Sequence, residues 1–209
     1  MNYDAIIVAS GKGQRANLGY NKVFYRMKDG KTVLEHAMSV FLEDEECKKI
    51  IVVTNESGFN EVPNYYKVSV TAGGKERRDS VFNGLKESES EYVLIHDGAR
   101  PFLQKEALQK LKEETERSSA AILGRYATDT IKIVKDGKII DTLDRNTIFL
   151  AETPQGFRRE LILDCYNRCG NTPFTDDASL AEHMGYQVSA VENPYPNQKL
   201  TKEEDFTDL

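Results

Sequence analysis

"AIIVASGKGQRANLGYNK", residues 5–22, decides how the rest of the chain is read. Its first five residues are a continuous apolar run, the pattern of a strand covered on both faces. Gly11 and Gly13 follow at once, and a glycine turn after a buried strand presents backbone N–H groups to an anion. The spacing is not that of a P-loop, which needs G-x-x-x-x-G-K-[ST], and Ala16 stands where a dinucleotide fingerprint has its third glycine. Arg15 and Lys22 add a guanidinium and an ammonium, which suit a triphosphate better than the pyrophosphate of a dehydrogenase. Ala9, Ser10, Gly11 and Gly13 are therefore expected to line a nucleotide.

Outward from this stretch, apolar runs alternate with amphipathic ones. Strands are expected at 49–54, 67–71, 91–96 and 120–123, and helices within 31–45 and at 79–88 and 105–118. Thr32 and Glu35 form a capping box at the start of the first helix. This alternation predicts an α/β fold, Rossmann-like, with a mostly parallel sheet and helices on both faces. Ligands of such sheets sit at the carboxyl ends of the strands, so loops 10–22, 72–78 and 96–102 should carry function. The period changes at 128–145, where apolar and polar residues alternate around Asp136-Gly137, a hairpin signal. An inserted β-hairpin arm is expected there. A helix near 158–168, another at 175–185 stopped by Gly185, a strand at 186–192 and a C-terminal helix capped by Thr201 and Glu204 complete the reading. No linker or repeat divides residues 1–209, so one domain with an arm is expected.

The chain of 209 residues carries a formal net charge of −6, which argues against a nucleic-acid partner. No apolar stretch approaches the roughly 20 residues of a membrane span. No basic, apolar leader opens the chain, and a cytoplasmic location is expected. Cys47, Cys165 and Cys169 make no CxxC pair, and buried reduced thiols are expected. His36, His96 and His183 lack any triad spacing and are read as structural.

Three more clusters bear chemistry. "AGGKERRDS" (72–80) places Gly74, Lys75 and Ser80 before a helix N-terminus, a loop suited to an anion or a base. "IHDGARP" (95–101) puts Asp97 at a strand end, where a carboxylate holds a divalent metal or a ribose hydroxyl. Arg100 follows it, to contact substrate or to brace Asp97. "NQKLT" (197–201) brings Lys199 ahead of the last helix.

Taken in order, G-x-G-x-R, Lys22, "AGGKERRDSV", "HDGARP", "DTIK", "LDRN", "TPQGF", "TDDAS" and "NQKLT" resemble the 2-C-methyl-D-erythritol 4-phosphate cytidylyltransferases over nearly the whole chain. Departures from that pattern are Ser10, Ala16, Asn21, Val23 and Pro196. The resemblance implies a fold of the nucleotide-diphospho-sugar transferase type. It also implies transfer of a cytidylyl group from CTP to a sugar-alcohol phosphate, in non-mevalonate isoprenoid biosynthesis, with Mg²⁺ near Asp97. Arg15, Lys22 and Lys199 are implied as catalytic, the 72–80 loop as the reader of cytosine, and Thr130, Arg145 and Thr153 as holders of the sugar phosphate. A homodimer through the arm is implied as well. Two alternatives stay open: ribitol 5-phosphate as acceptor, and a non-catalytic nucleotide-binding protein of the same fold.

Overall fold

In the first strand, β1 (Tyr3–Val8), alternate residues enter two different cores. Tyr3, Ala5 and Ile7 face one core and Ile6 the other. β2 (Cys47–Thr54) and β4 (Tyr92–Asp97) do the same, with Ile50, Val52 and Leu94 opposed to Ile51, Val53, Val93 and Ile95. A sheet apolar on both faces needs helices on both. On one face lie α1 (Val33–Leu42) and α3 (Lys105–Ser118), through Leu34, Met38, Phe41 and Leu111. On the other lie α2 (Arg77–Glu87), α4 (Arg159–Arg168) and α5 (Asp177–His183), through Val81, Leu85, Ile162 and Leu180. This is a computed structural model; it describes residues 1–11, 16, 18–170, 172–207 and 209.

The remaining strands are β3 (Val68–Ala72), β5 (Ala120–Tyr126), β6 (Ile131–Lys135), β7 (Lys138–Leu143), β8 (Phe149–Arg158) and β9 (Ser189–Glu192). Seven of the nine form one sheet in the order β3-β2-β1-β4-β8-β5-β9. All neighbours run parallel except β8, which is antiparallel to both β4 and β5. The expected mostly parallel sheet with two covered faces is the one found.

β8 was not expected. Pro154 argues against a central strand because it brings no N–H to the ladder. The structure resolves this by interrupting pairing there. β4 pairs with β8 only from Gln155 onward, and on β5 the register jumps from Ile122↔Gln155 to Gly124↔Ala151. Residues 152–154 therefore lie where the ladder has lapsed, and the missing donor costs nothing.

The capping box of α1 forms as expected, with Glu35 N–H donating to Thr32 Oγ1 (3.1 Å) and Thr32 N–H to Glu35 Oε2 (2.8 Å). At the C-terminus the reading is corrected. Only a short 3-10 turn, Glu203–Phe206, is present, and Asp205 rather than Glu204 accepts from the backbone N–H of Thr201 and Lys202. The aspartate carboxylate, one methylene nearer the backbone, closes this tighter turn.

β6 and β7 form the arm. They pair only with each other in a separate two-stranded sheet. Asp136 and Gly137 both have positive φ (50° and 74°), the backbone of a two-residue hairpin turn. Val134, Ile139 and Ile140 are 59%, 64% and 59% exposed. All three cysteines are buried free thiols. Among the described residues no helix is long and apolar enough to cross a membrane.

Candidate active site

The parallel strands converge at their carboxyl ends on Asp97, the last residue of β4. Its carboxylate is buried and bracketed by cations. Lys199 Nζ lies 2.7 Å from Oδ2, Arg77 Nε 3.5 Å from Oδ1, and Arg100 Nε 3.8 Å from Oδ2. Burial alone would push this carboxyl up, but Lys199, Arg77 and Arg100 hold it well below the usual carboxylate range. Arg77 is shared: its Nη2 donates to Asp177 Oδ2 (2.9 Å) at the start of α5. Burial works against the charge on Arg77, yet Asp177 and Asp97 together keep it firmly protonated.

Behind Asp97, β8 supplies the floor. Because β8 is antiparallel, its early residues lie beside the end of β4. Asp97 N–H donates to Thr153 Oγ1 (3.0 Å), and Thr153 Oγ1 lies 3.0 Å from His96 Nδ1. His96 Nε2 is 3.1 Å from the Arg100 carbonyl. Burial pushes the His96 imidazole down to about 4. The ring is thus neutral at pH 7, with Nε2–H donating to Arg100 and Nδ1 accepting from Thr153. One buried chain of hydrogen bonds fixes the backbone that carries Asp97. His96 thus belongs to the floor beneath Asp97.

The "NQKLT" segment is laced to this floor. Lys199 reaches Asp97, Leu200 N–H donates to the Ala99 carbonyl (2.8 Å), and Arg100 Nη1 donates to the Asn197 carbonyl (2.6 Å). Lys22, on the 3-10 turn Lys22–Phe24, donates to the Leu200 carbonyl (2.6 Å). The turn is held by Asn21, whose Nδ2 donates to the Ala9 carbonyl (2.6 Å). Two lysines separated by 177 residues in sequence so come to the same loop.

On the far side, the 72–80 loop folds back on the N-terminus of α2. A side chain at Gly73 would meet Ser10 Cβ at 2.5 Å, and one at Gly74 would meet Asp79 Cβ at 2.1 Å, so the loop approaches as only glycine allows. Ser80 is fully buried. Its Oγ accepts from Gly74 N–H (3.0 Å), donates to the Glu76 carbonyl (3.1 Å), and lies 2.8 Å from Ser10 Oγ. Ser80 therefore ties the first turn to the glycine loop, and the groups that loop can offer a base are its backbone ones and Lys75, which is exposed.

The structure thus brings together Ala9, Ser10, Lys22, Gly74, Ser80, Asp97, Arg100, Thr153 and Lys199. Gly11 is exposed at the edge of the first turn. Arg15 and Gly13 lie outside the described residues. Thr130 and Arg145 stand apart on the exposed arm, where Arg145 Nη1 donates to the Thr128 carbonyl (2.7 Å). Thr153 is buried, with its hydroxyl facing Asp97 and His96. Sequence reasoning took Arg77 only as one charge of the 72–80 loop and gave no role to Asp177, Gln155 or Glu152. Gln155 accepts from Ala178 N–H (3.0 Å) and donates to Asp176 (2.7 Å), which joins "TPQGF" to "TDDAS".

Among the described residues no three His, Cys, Asp or Glu side chains group as a cation site. The carboxylate at the end of β4, Asp97, is ionised and lies under a ring of cations. Such a donor set fits a magnesium carried by a triphosphate, which needs only one or two protein carboxylates.

A family model described as 2-C-methyl-D-erythritol 4-phosphate cytidylyltransferase (IspD) matches residues 3–208. A protein of that name from Bacillus licheniformis is 40% identical, over 99% of this chain and 93% of the relative. The crystal structure of the Francisella tularensis 2-C-methyl-D-erythritol 4-phosphate cytidylyltransferase superposes with a TM-score of 0.84 at 30% identity, covering 99% of this chain and 97% of that one. The 4-diphosphocytidyl-2C-methyl-D-erythritol synthase of Anaerococcus prevotii gives 0.87 at 28% identity, covering 98% and 94%. On these matches the chain belongs to the 2-C-methyl-D-erythritol 4-phosphate cytidylyltransferase family, whose members are nucleotidyltransferases.

Proposed function

We propose that this chain transfers a cytidylyl group from CTP to 2-C-methyl-D-erythritol 4-phosphate. A phosphate oxygen of the acceptor bonds to the α-phosphorus of CTP, the bond to the bridging oxygen breaks, and pyrophosphate leaves with that electron pair. The products are 4-diphosphocytidyl-2-C-methyl-D-erythritol and pyrophosphate. The observation that carries this reading is the convergence of Lys22 and Lys199 on one loop above the buried Asp97.

A phosphate monoester is already nucleophilic at pH 7, so the reaction needs no general base. Its obstacle is the approach of two anions. Preorganised positive charge lowers that barrier, as in phosphoryl transfer generally. In this proposal Arg15 and Lys22 stabilise the charge that develops on the α-phosphate, and Lys199 holds both reactants. Asp97 aims Lys199, while Thr153 and His96 hold Asp97. Ala9, Ser10, Gly11 and Gly13 cradle the nucleotide, and the loop at Gly74, Lys75 and Ser80 meets the cytosine. Magnesium would enter with the triphosphate beside Asp97, where it neutralises phosphate charge. Arg100 completes the acceptor side. The arm clasps a second copy to form a homodimer, and Thr130 and Arg145 serve the acceptor phosphate bound to the partner. The protein works in the cytoplasm.

The test is pyrophosphate release from CTP with methylerythritol phosphate and, separately, ribitol 5-phosphate. Faster turnover with the first supports the proposal. Faster turnover with the second replaces the acceptor, and silence with both despite CTP binding overturns catalysis.

A further inference from the structure

We infer that Glu152 is a positioning residue for the Lys199 segment. It is a buried carboxylate on β8 that anchors residues 193–197, so that Lys199 meets Asp97 and the Leu200 carbonyl receives Lys22. The inference rests on the reading of Lys22 and Lys199 as the working cations of the site.

Glu152 is 4% exposed, and a carboxylate so buried must be matched by donors. Three converge on it. Arg125 Nη1 donates to Oε1 (2.9 Å), while Asn193 Nδ2 and Asn197 Nδ2 donate to Oε2 (3.0 Å each). Asn197 Nδ2 also donates to the Thr153 carbonyl (2.8 Å), which ties the same segment to the strand behind Asp97. The sequence between the two asparagines explains why side chains do this work. "NPYPN" contains Pro194 and Pro196, neither of which has an N–H to join a ladder. Its one remaining interior donor, Tyr195 N–H, turns back on Asn193 Oδ1 (3.1 Å). Its first residue still joins the sheet, with Asn193 N–H donating to the Gly124 carbonyl (2.7 Å), but beyond that point the stretch is held by the amides at its two ends, and both amides find the same carboxylate. Lys199 follows two residues later.

Polarity, rather than volume, is the property at stake. Glu152→Gln keeps the shape but replaces one carboxylate oxygen with an NH₂ group, which must face either Arg125 or the two asparagine amides, donor against donor. Glu152→Asp keeps the carboxylate and loses a methylene. In steady-state assays, Glu152→Gln is expected to lower kcat about 10- to 100-fold, the scale of a misplaced catalytic group. The KM for CTP should change by less than about threefold. Glu152→Asp should retain more activity than Glu152→Gln. Amide hydrogen exchange supplies a readout free of catalysis: in Glu152→Gln the Leu200 N–H should exchange at least about tenfold faster, with α3 unchanged. Wild-type kcat and wild-type Leu200 exchange in Glu152→Gln would overturn the inference, as would a Glu152→Asp variant less active than Glu152→Gln. If Glu152→Gln does not fold, Asn193→Ala decides: faster Leu200 exchange with lower kcat supports the anchor, and wild-type values refute it. A wild-type protein inactive with CTP and either phosphate counts against the proposed function alone, and the exchange measurement then decides for Glu152.

Discussion

At the end of β4, the Asp97 carboxylate is buried beneath Lys199, Arg77 and Arg100, and its backbone is held through Thr153 and His96. On the arm, Val134, Ile139 and Ile140 stand more than half exposed, on a hairpin that pairs with nothing but itself. The first region finds its ion-pair partners within one chain, although the buried Arg100 Nε makes no hydrogen bond. The second leaves a surface that the chain does not cover, and a lone two-stranded hairpin is marginal in water. Polar groups at the strand ends have fixed partners because burial makes an unpartnered charge costly. Val134, Ile139 and Ile140 on the arm stay open among the described residues, and the proposed dimer is what would cover them. Substitutions in the first region should therefore damage folding, and those in the second only assembly.

The hardest test of that contrast is Asp97→Asn. It leaves Lys199, Arg77 and Arg100 facing a neutral amide. Breaking a buried ion pair by removing one partner costs about 3–5 kcal/mol, so urea unfolding should show a loss of that order. A loss under about 1 kcal/mol would mean that the cluster does not hold the floor together.

Acid comes next. His96 titrates near 4 in the folded chain against 6.5 ordinarily. Between those values the unfolded chain binds more protons, so folding stability is complete above about pH 6.5 and declines as pH falls toward 4. Below that range this group adds no further loss. The difference corresponds to roughly 3 kcal/mol. Asp97, whose folded value is depressed, keeps its contribution above the ordinary carboxylate range and loses it only in stronger acid. His96→Gln should flatten the slope between pH 6.5 and 4, measured by thermal melts across that window. An unchanged slope would place the acid sensitivity elsewhere.

Lys22→Ala separates working charge from floor. Turnover should fall at least about 100-fold, as when one electrostatic stabiliser of a transition state is removed. The unfolding midpoint should move by less than the equivalent of about 1 kcal/mol, because this lysine lies on a half-buried turn. Near-normal turnover would remove Lys22 from the proposed mechanism.

The smallest effect on the single chain belongs to the arm. Ile140→Glu should change the chain's own stability by no more than about 0.5 kcal/mol, while sedimentation shifts from dimer to monomer. Arg145→Ala and Lys22→Ala chains refolded together offer the complementary measurement. Random pairing makes half the dimers hybrids with one intact site, so about a quarter of wild-type activity should return. No recovery, or a wild-type chain that sediments as a monomer, breaks the proposal of a shared site.

Much of this was legible beforehand. The apolar run 5–9, the capping box at Thr32 and the Asp136-Gly137 turn each specify local structure through forces acting over a few residues, and each forms. Asp97 and Lys199 were visible as charges beside a strand end and ahead of a terminal turn, because function puts polar groups where loops leave a sheet. β8 was not legible. Its early residues, Glu152, Thr153, Pro154 and Gln155, look like a loop, and their partners on β4, β5, α5 and the 193–197 segment are distant in sequence. The C-terminal cap was misjudged for a related reason: spacing alone does not distinguish Glu204 from Asp205 when the turn is 3-10 rather than α.

By itself the sequence determined the elements outside β8 and the C-terminal turn, the two-faced burial of the parallel strands and the types of charge at their ends. Periodicity and turn chemistry act locally and leave their mark in adjacent residues. Only the tertiary structure decided that β8 enters the sheet in reverse and that Thr153 and His96 back Asp97. It also decided that Lys22 and Lys199 share one loop, and that Glu152 gathers Arg125, Asn193 and Asn197. Those choices follow from the cost of burying polar groups without partners, a cost settled only when distant segments meet and each donor finds its acceptor.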